Sequence, residues 1–113
     1  MHHRLLVTTR NGATAFDACT AVERGLIAQG FIGYDGDPTN RFTSGVADWF
    51  EIGGRFADEL DDNAEFLTAE LYDDHLAEYE GFDGIEGFID LERESVSRKF
   101  IGRKWLVVVD YHT

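Results

Sequence analysis

The sequence predicts an α+β protein, and three of its features support that prediction. Short runs rich in β-branched and aromatic residues lie near the start, in the middle and at the end of the chain, as expected for strands. Longer segments between them repeat their apolar residues at helical spacing. The order strand, helix, strand, strand, helix, strand is typical of a ferredoxin-like βαββαβ sandwich. We expect an acidic loop and short helix as an insertion before the last strand.

The first strand and the first helix have clear sequence signals. Residues 4–9 read Arg-Leu-Leu-Val-Thr-Thr, an apolar and β-branched run that predicts a strand. Thr14, followed three residues later by Asp17, resembles a capping box at a helix start. Gly30 stands where a left-handed helix end is expected. The helix between them has one apolar stripe, formed by Ala15, Cys19, Val22 and Leu26.

The middle strand ends in the densest motif of the chain, which runs from Asp48 to Arg55 as Asp-Trp-Phe-Glu-Ile-Gly-Gly-Arg. Its side chains alternate between two faces, which predicts an extended segment, and residues 31–45 before it predict a loop. Gly53-Gly54 allows positive φ, so the chain can turn sharply there. We expect the guanidinium of Arg55 to pair with Asp48 or with a nearby carbonyl group.

The segment after this motif predicts a third strand and a second helix. Residues 64–67 read Ala-Glu-Phe-Leu and predict a short strand. Thr68 is a suitable N-cap for a helix that continues to Glu80. One longer helix from Asn63 is the alternative interpretation.

The acidic stretch before the last strand is punctuated by glycines and predicts a loop with a short helix. Its carboxylates are too frequent to be buried, because unpaired buried charges are costly. We therefore expect them to face solvent or a partner: Asp83, Glu86, Asp90, Glu92 and Glu94. Residues 104–112 then predict the last strand. Its Trp-Leu-Val-Val-Val run is apolar on both faces, so we expect it to be the best-buried strand.

The length and composition fit a single domain spanning residues 1–113. Hydrophobic residues make up 43% of the chain, which is enough for a core without disulfides. The single cysteine, Cys19, lies in the helical stripe and is expected to be a small packing side chain rather than a nucleophile. No apolar run reaches the roughly 20 residues of a membrane span, and no leader-like segment opens the chain. We expect a cytoplasmic protein.

The negative charge is concentrated in one part of the chain. The formal net charge is -12, and residues 48–94 hold seventeen acidic residues against Arg55 and Arg93. Such a field repels nucleic-acid phosphates and attracts basic surfaces. Direct nucleic-acid binding is therefore not expected.

Four segments resemble a family of small phage and prophage proteins of unassigned function. They are the Met1-His2-His3 start, the Trp-Phe-x-Ile-Gly-Gly-Arg motif that begins at Trp49, the Glu-Leu-Tyr run at 70–72, and the closing Val-Val-Val-Asp-Tyr-His strand at 107–112. Family members often carry tryptophan where this chain has Phe56. The resemblance implies a mobile-element product that acts inside a host cell, and it implies no catalytic residues.

The leading functional hypothesis is a non-enzymatic protein that binds a basic, nucleic-acid-binding host protein. An anti-CRISPR or other anti-defence inhibitor is its concrete form, with a CRISPR effector subunit as the partner. Clustered carboxylates could occupy a basic surface in place of phosphates. The predicted partner-binding residues are Asp58, Glu59, Asp61, Asp62, Asp73, Asp74, Asp83 and Glu86.

The alternative is a small-ligand binder or enzyme that uses the glycine motif. Trp49 would stack on a ring, and Arg55 would hold a nucleotide phosphate or another small anionic group. No phosphate loop, cysteine-pair zinc pattern or nucleophile motif occurs in the sequence. No catalytic residue and no cofactor are predicted, and a structural turn is the commoner role for such a glycine pair.

The residues at the two ends of the chain indicate a second candidate site, one for a metal ion. In the predicted sheet the first and last strands are antiparallel neighbours, so the start of one lies beside the end of the other. An N-terminal histidine could then join Asp110 and His112 as metal ligands. The candidates are His2, His3, Asp110 and His112, although solvated strand ends are the commoner arrangement.

Overall fold

The computed structural model describes residues 1–32, 45–71, 74, 88–91 and 103–113. Within these ranges the strands are β1 (His2–Thr9), β2 (Trp49–Ile52), β3 (Ala64–Leu67), β4 (Phe88–Asp90) and β5 (Lys104–His112), the first helix is α1 (Ala15–Ala28), and short 3-10 turns span Gly54–Phe56 and Asp61–Asn63. A second helix begins at residue 69. The predicted α+β class is confirmed.

Among the described residues, β5 is the central strand of a five-stranded mixed sheet. It pairs antiparallel with β1 over eight residue pairs, from His2 opposite His112 to Thr9 opposite Trp105. β2 and β3 pair antiparallel with the other edge of β5, and β4 pairs parallel with the far edge of β1. The predicted adjacency of the first and last strands is confirmed.

β2 and β3 form one edge strand that is interrupted by residues 54–63, which we call the excursion. β2 ends opposite Val109, and β3 begins opposite Val107. The Gly53 N–H donates to the carbonyl oxygen of Val108 between them, at 2.8 Å. The chain thus leaves the sheet after Gly53 and returns at the next register position.

Both ends of the excursion use left-handed backbone. The φ angle is 76° at Gly53 and 51° at Gly54, and it is 52° at Asp62 and 64° at Asn63. The thiol of Cys19 on α1 donates to the carbonyl oxygen of Asp62 at 3.5 Å. The excursion is therefore attached to the sheet at its start and to the helix near its end.

The ferredoxin-like strand order is not confirmed. The sheet is mixed rather than antiparallel, and both middle strands pair with β5, because the excursion leaves and rejoins the same edge of that strand. The longer helix from Asn63 is wrong, since residues 64–67 form β3. The Thr68 hydroxyl accepts the Leu71 N–H at 3.4 Å, as expected for the predicted N-cap. The remainder of that helix lies outside the described residues.

Residues 88–90 correct the prediction for the acidic insertion. They were expected to lie in a loop with a short helix, but they form β4 beside β1. Asp90, which was expected to face solvent or a partner, is 6% exposed. The ammonium of Lys104 on β5 pairs with its carboxylate. A buried partner thus removes the cost that made burial of this acid unexpected.

α1 begins and ends as its sequence predicts. The Thr14 hydroxyl accepts the Asp17 N–H at 3.2 Å. At the other end the Gly30 N–H donates to Ile27 and the Phe31 N–H donates to Leu26, at 3.1 and 3.0 Å. This pair of bonds with a left-handed glycine is a Schellman motif, which satisfies the last carbonyl groups of the helix.

The sheet has an apolar core on each face, because side chains of β1 and β5 alternate between the two faces. The face under α1 buries Leu5, Val7, Ala18, Val22, Leu26, Phe31, Val107 and Val109. The other face buries Leu6, Leu67, Leu106 and Val108, against which Phe56, Leu60 and Leu71 pack. The excursion therefore supplies part of the cover of this second face.

We expect Lys104→Met to lower the free energy of unfolding by about 3–5 kcal/mol, because it removes the buried cation that pairs with the Asp90 carboxylate. Adding Asp90→Leu should recover much of that loss. Glu59→Gln, which breaks the partly exposed pair with Arg4, should cost less than about 1 kcal/mol. Urea unfolding measures all three. Equal losses for Lys104→Met and Glu59→Gln would contradict a special role for the buried pair.

Candidate functional site at the joined chain ends

The register of three neighbouring strands brings three rings together. Trp49 on β2 and His2 on β1 both pair with His112 on β5. Trp49 stacks on His112 with 5.5 Å between ring centroids and 6° between ring planes. His2 meets both rings edge-on at 5.4 Å. Trp49 is 40% exposed, so this ring cluster opens to solvent.

The carboxylate of Asp110 anchors the ring cluster. It is 2% exposed, and its two oxygens lie 2.8 and 3.0 Å from Nδ1 of His2. The backbone N–H of Arg55 donates to Oδ2 at 3.0 Å. Because an ionised carboxylate can only accept, Nδ1 is the protonated nitrogen of His2. In the described part of the chain, no group hydrogen-bonds Nε2 of His2.

Opposing effects set the pKa of Asp110. Burial raises it, but the hydrogen bonds from the Arg55 backbone and from His2 lower it, as do the charges of His2 and Arg55. The net effect holds the pKa below its ordinary value. The site therefore contains a carboxylate that stays ionised although it is buried.

The Gly53-Gly54 turn brings the backbone into close contact with Asp110. A Cβ atom at Gly54, where φ is +51°, would lie 2.7 Å from the Cβ atom and Oδ2 of Asp110. A Cβ atom at Gly53 would lie 2.3 Å from the side-chain oxygen of Asn63. The predicted structural turn is therefore present. The turn places the backbone N–H of Arg55, rather than its guanidinium, against the Asp110 carboxylate.

The expected pairing of the Arg55 guanidinium with Asp48 is wrong. Asp48 instead lies against His112, with 3.4 Å between Oδ2 and Nδ1. This contact is not a hydrogen bond, and Nδ1 of His112 is a buried nitrogen without a hydrogen-bond partner among the described residues. The Arg55 side chain is exposed, and within the described ranges its guanidinium forms no ion pair.

The metal candidates come together only in part. His2, Asp110 and His112 share the ring cluster, but the His3 ring lies on the other face of the sheet, where it stacks on Tyr111 at 4.9 Å. Nε2 of His3 is 2.8 Å from the Thr113 hydroxyl. Across the residues that the structure describes, no group of three His, Cys, Asp or Glu side chains could hold a metal ion.

The predicted partner-binding acids divide between described and undescribed segments. Asp73, Asp83 and Glu86 lie outside the described residues. Asp74 is exposed. The remaining four all lie on the excursion and are exposed: Asp58, Glu59, Asp61 and Asp62.

An open groove lies between the start of α1 and the excursion. Its volume is about 550 Å³, and it is lined by Thr14, Ala15, Phe16, Cys19, Ile52, Asp62 and Asn63. Burial raises the pKa of the Cys19 thiol, and the charge of Asp62 raises it further. Cys19 also packs against the core. A raised pKa reduces the thiolate fraction, which agrees with a packing role.

Sequence reasoning proposed Trp49 and Arg55 for anion binding, and it proposed His2, Asp110 and His112 separately for metal. The structure places all five at one location. The signal that could have joined the two sets was the motif itself, because a glycine pair after a strand often marks a close approach of two chain segments.

No family model, no curated protein and no solved structure matches this chain. The resemblance to phage and prophage proteins stays a prediction. Among the described residues, no helix is long and apolar enough to cross a membrane.

We expect Gly54→Ala to lower the free energy of unfolding by about 1–3 kcal/mol, because it combines left-handed backbone with a clash against Asp110. Gly25→Ala is the matched control. That residue lies in α1, and its added Cβ atom would meet the end of the flexible Leu91 side chain. Chemical denaturation compares the two. A smaller loss for Gly54→Ala than for Gly25→Ala would refute the role of the turn.

We expect Asp110→Asn to make the stability less dependent on acid pH. A carboxylate with a lowered pKa contributes stability above the ordinary carboxyl pKa of about 4, and this contribution is lost as pH falls through the lower folded-state value. The difference in unfolding free energy between wild type and Asp110→Asn should therefore shrink on acidification. Denaturation at a series of pH values measures it, and a constant difference would contradict the assignment.

Proposed function

We propose that the protein acts without catalysis, by binding another protein through the exposed carboxylates of the excursion. The partner is a protein whose basic surface binds nucleic acid. The observation that carries the proposal is that Asp58, Glu59, Asp61 and Asp62 are exposed on one short segment. Such a run of carboxylates can meet a basic surface in place of phosphates; Glu59 is paired with Arg4, so Asp58, Asp61 and Asp62 carry most of the available charge.

The attachment of the excursion supports this proposal. Its start is held by the hydrogen bonds of Gly53 to Val108 and of Arg55 to Asp110. Leu60 packs on the apolar core near its middle. Carboxylates on an anchored segment lose less conformational freedom on binding than carboxylates on a free coil, so more of the interaction energy appears as affinity.

The charge of the whole chain also favours binding of a basic partner. A net charge of -12 attracts a basic partner over several ångströms and accelerates association at low ionic strength. An anti-CRISPR or other anti-defence inhibitor in the host cytoplasm, with a CRISPR effector subunit as its partner, is the specific form that we propose. The resemblance to phage proteins favours that form.

The test uses the triple variant Asp58→Asn, Asp61→Asn and Asp62→Asn, which we call the neutral excursion variant. Asparagine tolerates the left-handed backbone at position 62. The control variant is Glu23→Gln, Glu51→Gln and Glu70→Gln, which removes the same charge from exposed residues elsewhere. Proteins retained from a host lysate by the wild type should be released by excess nucleic acid. The neutral excursion variant should bind them roughly tenfold more weakly, and the control variant should bind nearly as well as wild type.

Two results would count against the proposal. Retained proteins that excess nucleic acid does not release would show that the bound surface is not a nucleic-acid surface. Equal weakening by the two triple variants would show that total charge, rather than the excursion, determines binding.

A further inference from the structure

We infer that the ring cluster, together with Asp110 and Arg55, is a binding site for a small ligand that carries a planar ring and one anionic group. This site is separate from the exposed carboxylates of the excursion. It rests on three features of the described residues: an exposed indole, an imidazole with one open nitrogen, and a buried carboxylate that orients that imidazole.

The indole of Trp49 is the surface for the ring. One face of it stacks on His112, yet the residue remains 40% exposed. β2 lies at an edge of the described sheet. A large aromatic side chain that is half in water at a sheet edge offers apolar area and a π-face to a second ring. A planar ligand would remove that area from water.

The imidazole of His2 supplies the contact for the anion. Asp110 accepts from Nδ1, which fixes the ring orientation and the tautomer. Neutral His2 therefore presents Nε2 as a bare acceptor. Protonated His2 presents Nε2–H as a charged donor, and a hydrogen bond from it to an anion is of the stronger, charge-assisted kind. Only the protonated form of the site suits an anionic ligand.

Arg55 provides a second cation at the same place. Its backbone N–H contacts the Asp110 carboxylate that His2 also contacts, and its side chain is exposed. A guanidinium can donate to an anion through several N–H groups. The other charged or titratable groups around the cluster are the N-terminal ammonium of Met1, which lies 3.0 Å from Nε2 of His112, Arg4 with its partner Glu59, and Asp48, Glu51 and His112.

The acids among these neighbours limit the charge of the ligand. Asp48 directly precedes Trp49, Glu51 lies two residues after it, and both acids are exposed; the whole chain is also strongly negative. A ligand with several negative charges would meet repulsion from both. The geometry points to a single anionic group, which His2 and Arg55 hold at short range.

Cyclic mononucleotides are suitable probes. Each carries one planar base and one phosphodiester, whose single negative charge does not change in the range where histidine titrates. Any effect of pH on binding therefore belongs to the protein. The nucleosides provide the ring without the anion, and inorganic phosphate provides the anion without the ring.

The experiment is calorimetric titration of the full chain with the four cyclic mononucleotides at about pH 6 and about pH 8. At least one should bind at the lower pH, and its dissociation constant should be about tenfold or more larger at the higher pH. The matching nucleoside and inorganic phosphate should each bind at least about tenfold more weakly. If none of the four binds at the lower pH, or if binding is independent of pH, the proposal is overturned.

Variants assign the roles of the residues. Trp49→Leu and His2→Gln should each weaken binding by about tenfold or more. Phe66→Leu is the matched control, because Phe66 is a 43% exposed ring on β3, and it should leave affinity unchanged. Circular dichroism checks that each variant is folded. If Trp49→Leu does not fold, Trp49→Phe keeps an aromatic ring and should weaken binding less than His2→Gln. Equal weakening by Phe66→Leu and His2→Gln would overturn the assignment.

The neutral excursion variant separates this site from the proposed protein-binding surface. It should bind the cyclic mononucleotide at least as tightly as the wild type does, although its retention of proteins falls. Loss of both activities in that variant would show that the two sites are not separate and would overturn this part of the inference.

Discussion

The burial of one carboxylate, that of Asp110, is the constraint on which this end of the molecule depends. An ionised group that is almost inaccessible to water is tolerated only when fixed donors replace its hydration. Two donors come from distant parts of the chain, the His2 ring on β1 and the Arg55 backbone at the start of the excursion. Compensation of one charge thus joins the first strand, the last strand and the glycine turn. The same need explains why position 54 has no side chain.

At the opposite end of β5, another buried charge is compensated by a different partner. Lys104 is buried there and pairs with Asp90 on β4 across the intervening strand β1. Between the two charged ends, the same sheet face is apolar, with Leu106 and Val108 buried. A central strand with a compensated charge near each end has a well-specified register, because a shift by one residue would move both charged side chains to the other face of the sheet and separate them from their partners.

Local patterns predicted the elements that have local causes. The start and end of α1 follow from Thr14 and Gly30, and β5 has the bounds that its apolar run indicated. β4 was missed because three residues in an acidic context show no period, and its pairing with β1 is non-local. The role predicted for Arg55 was wrong because a sequence pattern indicates what a side chain can do, whereas the group of Arg55 that contacts Asp110 is its backbone N–H. The contact between Trp49 and His2 could not be predicted, because it depends on the pairing of β2 with β5.

The excursion and the ring cluster share one support, so the proposed anion site and the exposed acids are held by the same turn. The Gly53-Gly54 turn positions Arg55 against Asp110 and also begins the segment that carries the exposed acids. Exposed carboxylates act over a distance that dissolved salt shortens, whereas His2 and Arg55 act by direct contact. Higher ionic strength weakens attraction between the excursion and a basic surface, and it also weakens the repulsion that an anion meets on approaching the ring cluster. Salt therefore opposes the proposed protein contact, whereas at the proposed ligand site it screens the repulsion by the acids as well as the attraction by His2 and Arg55.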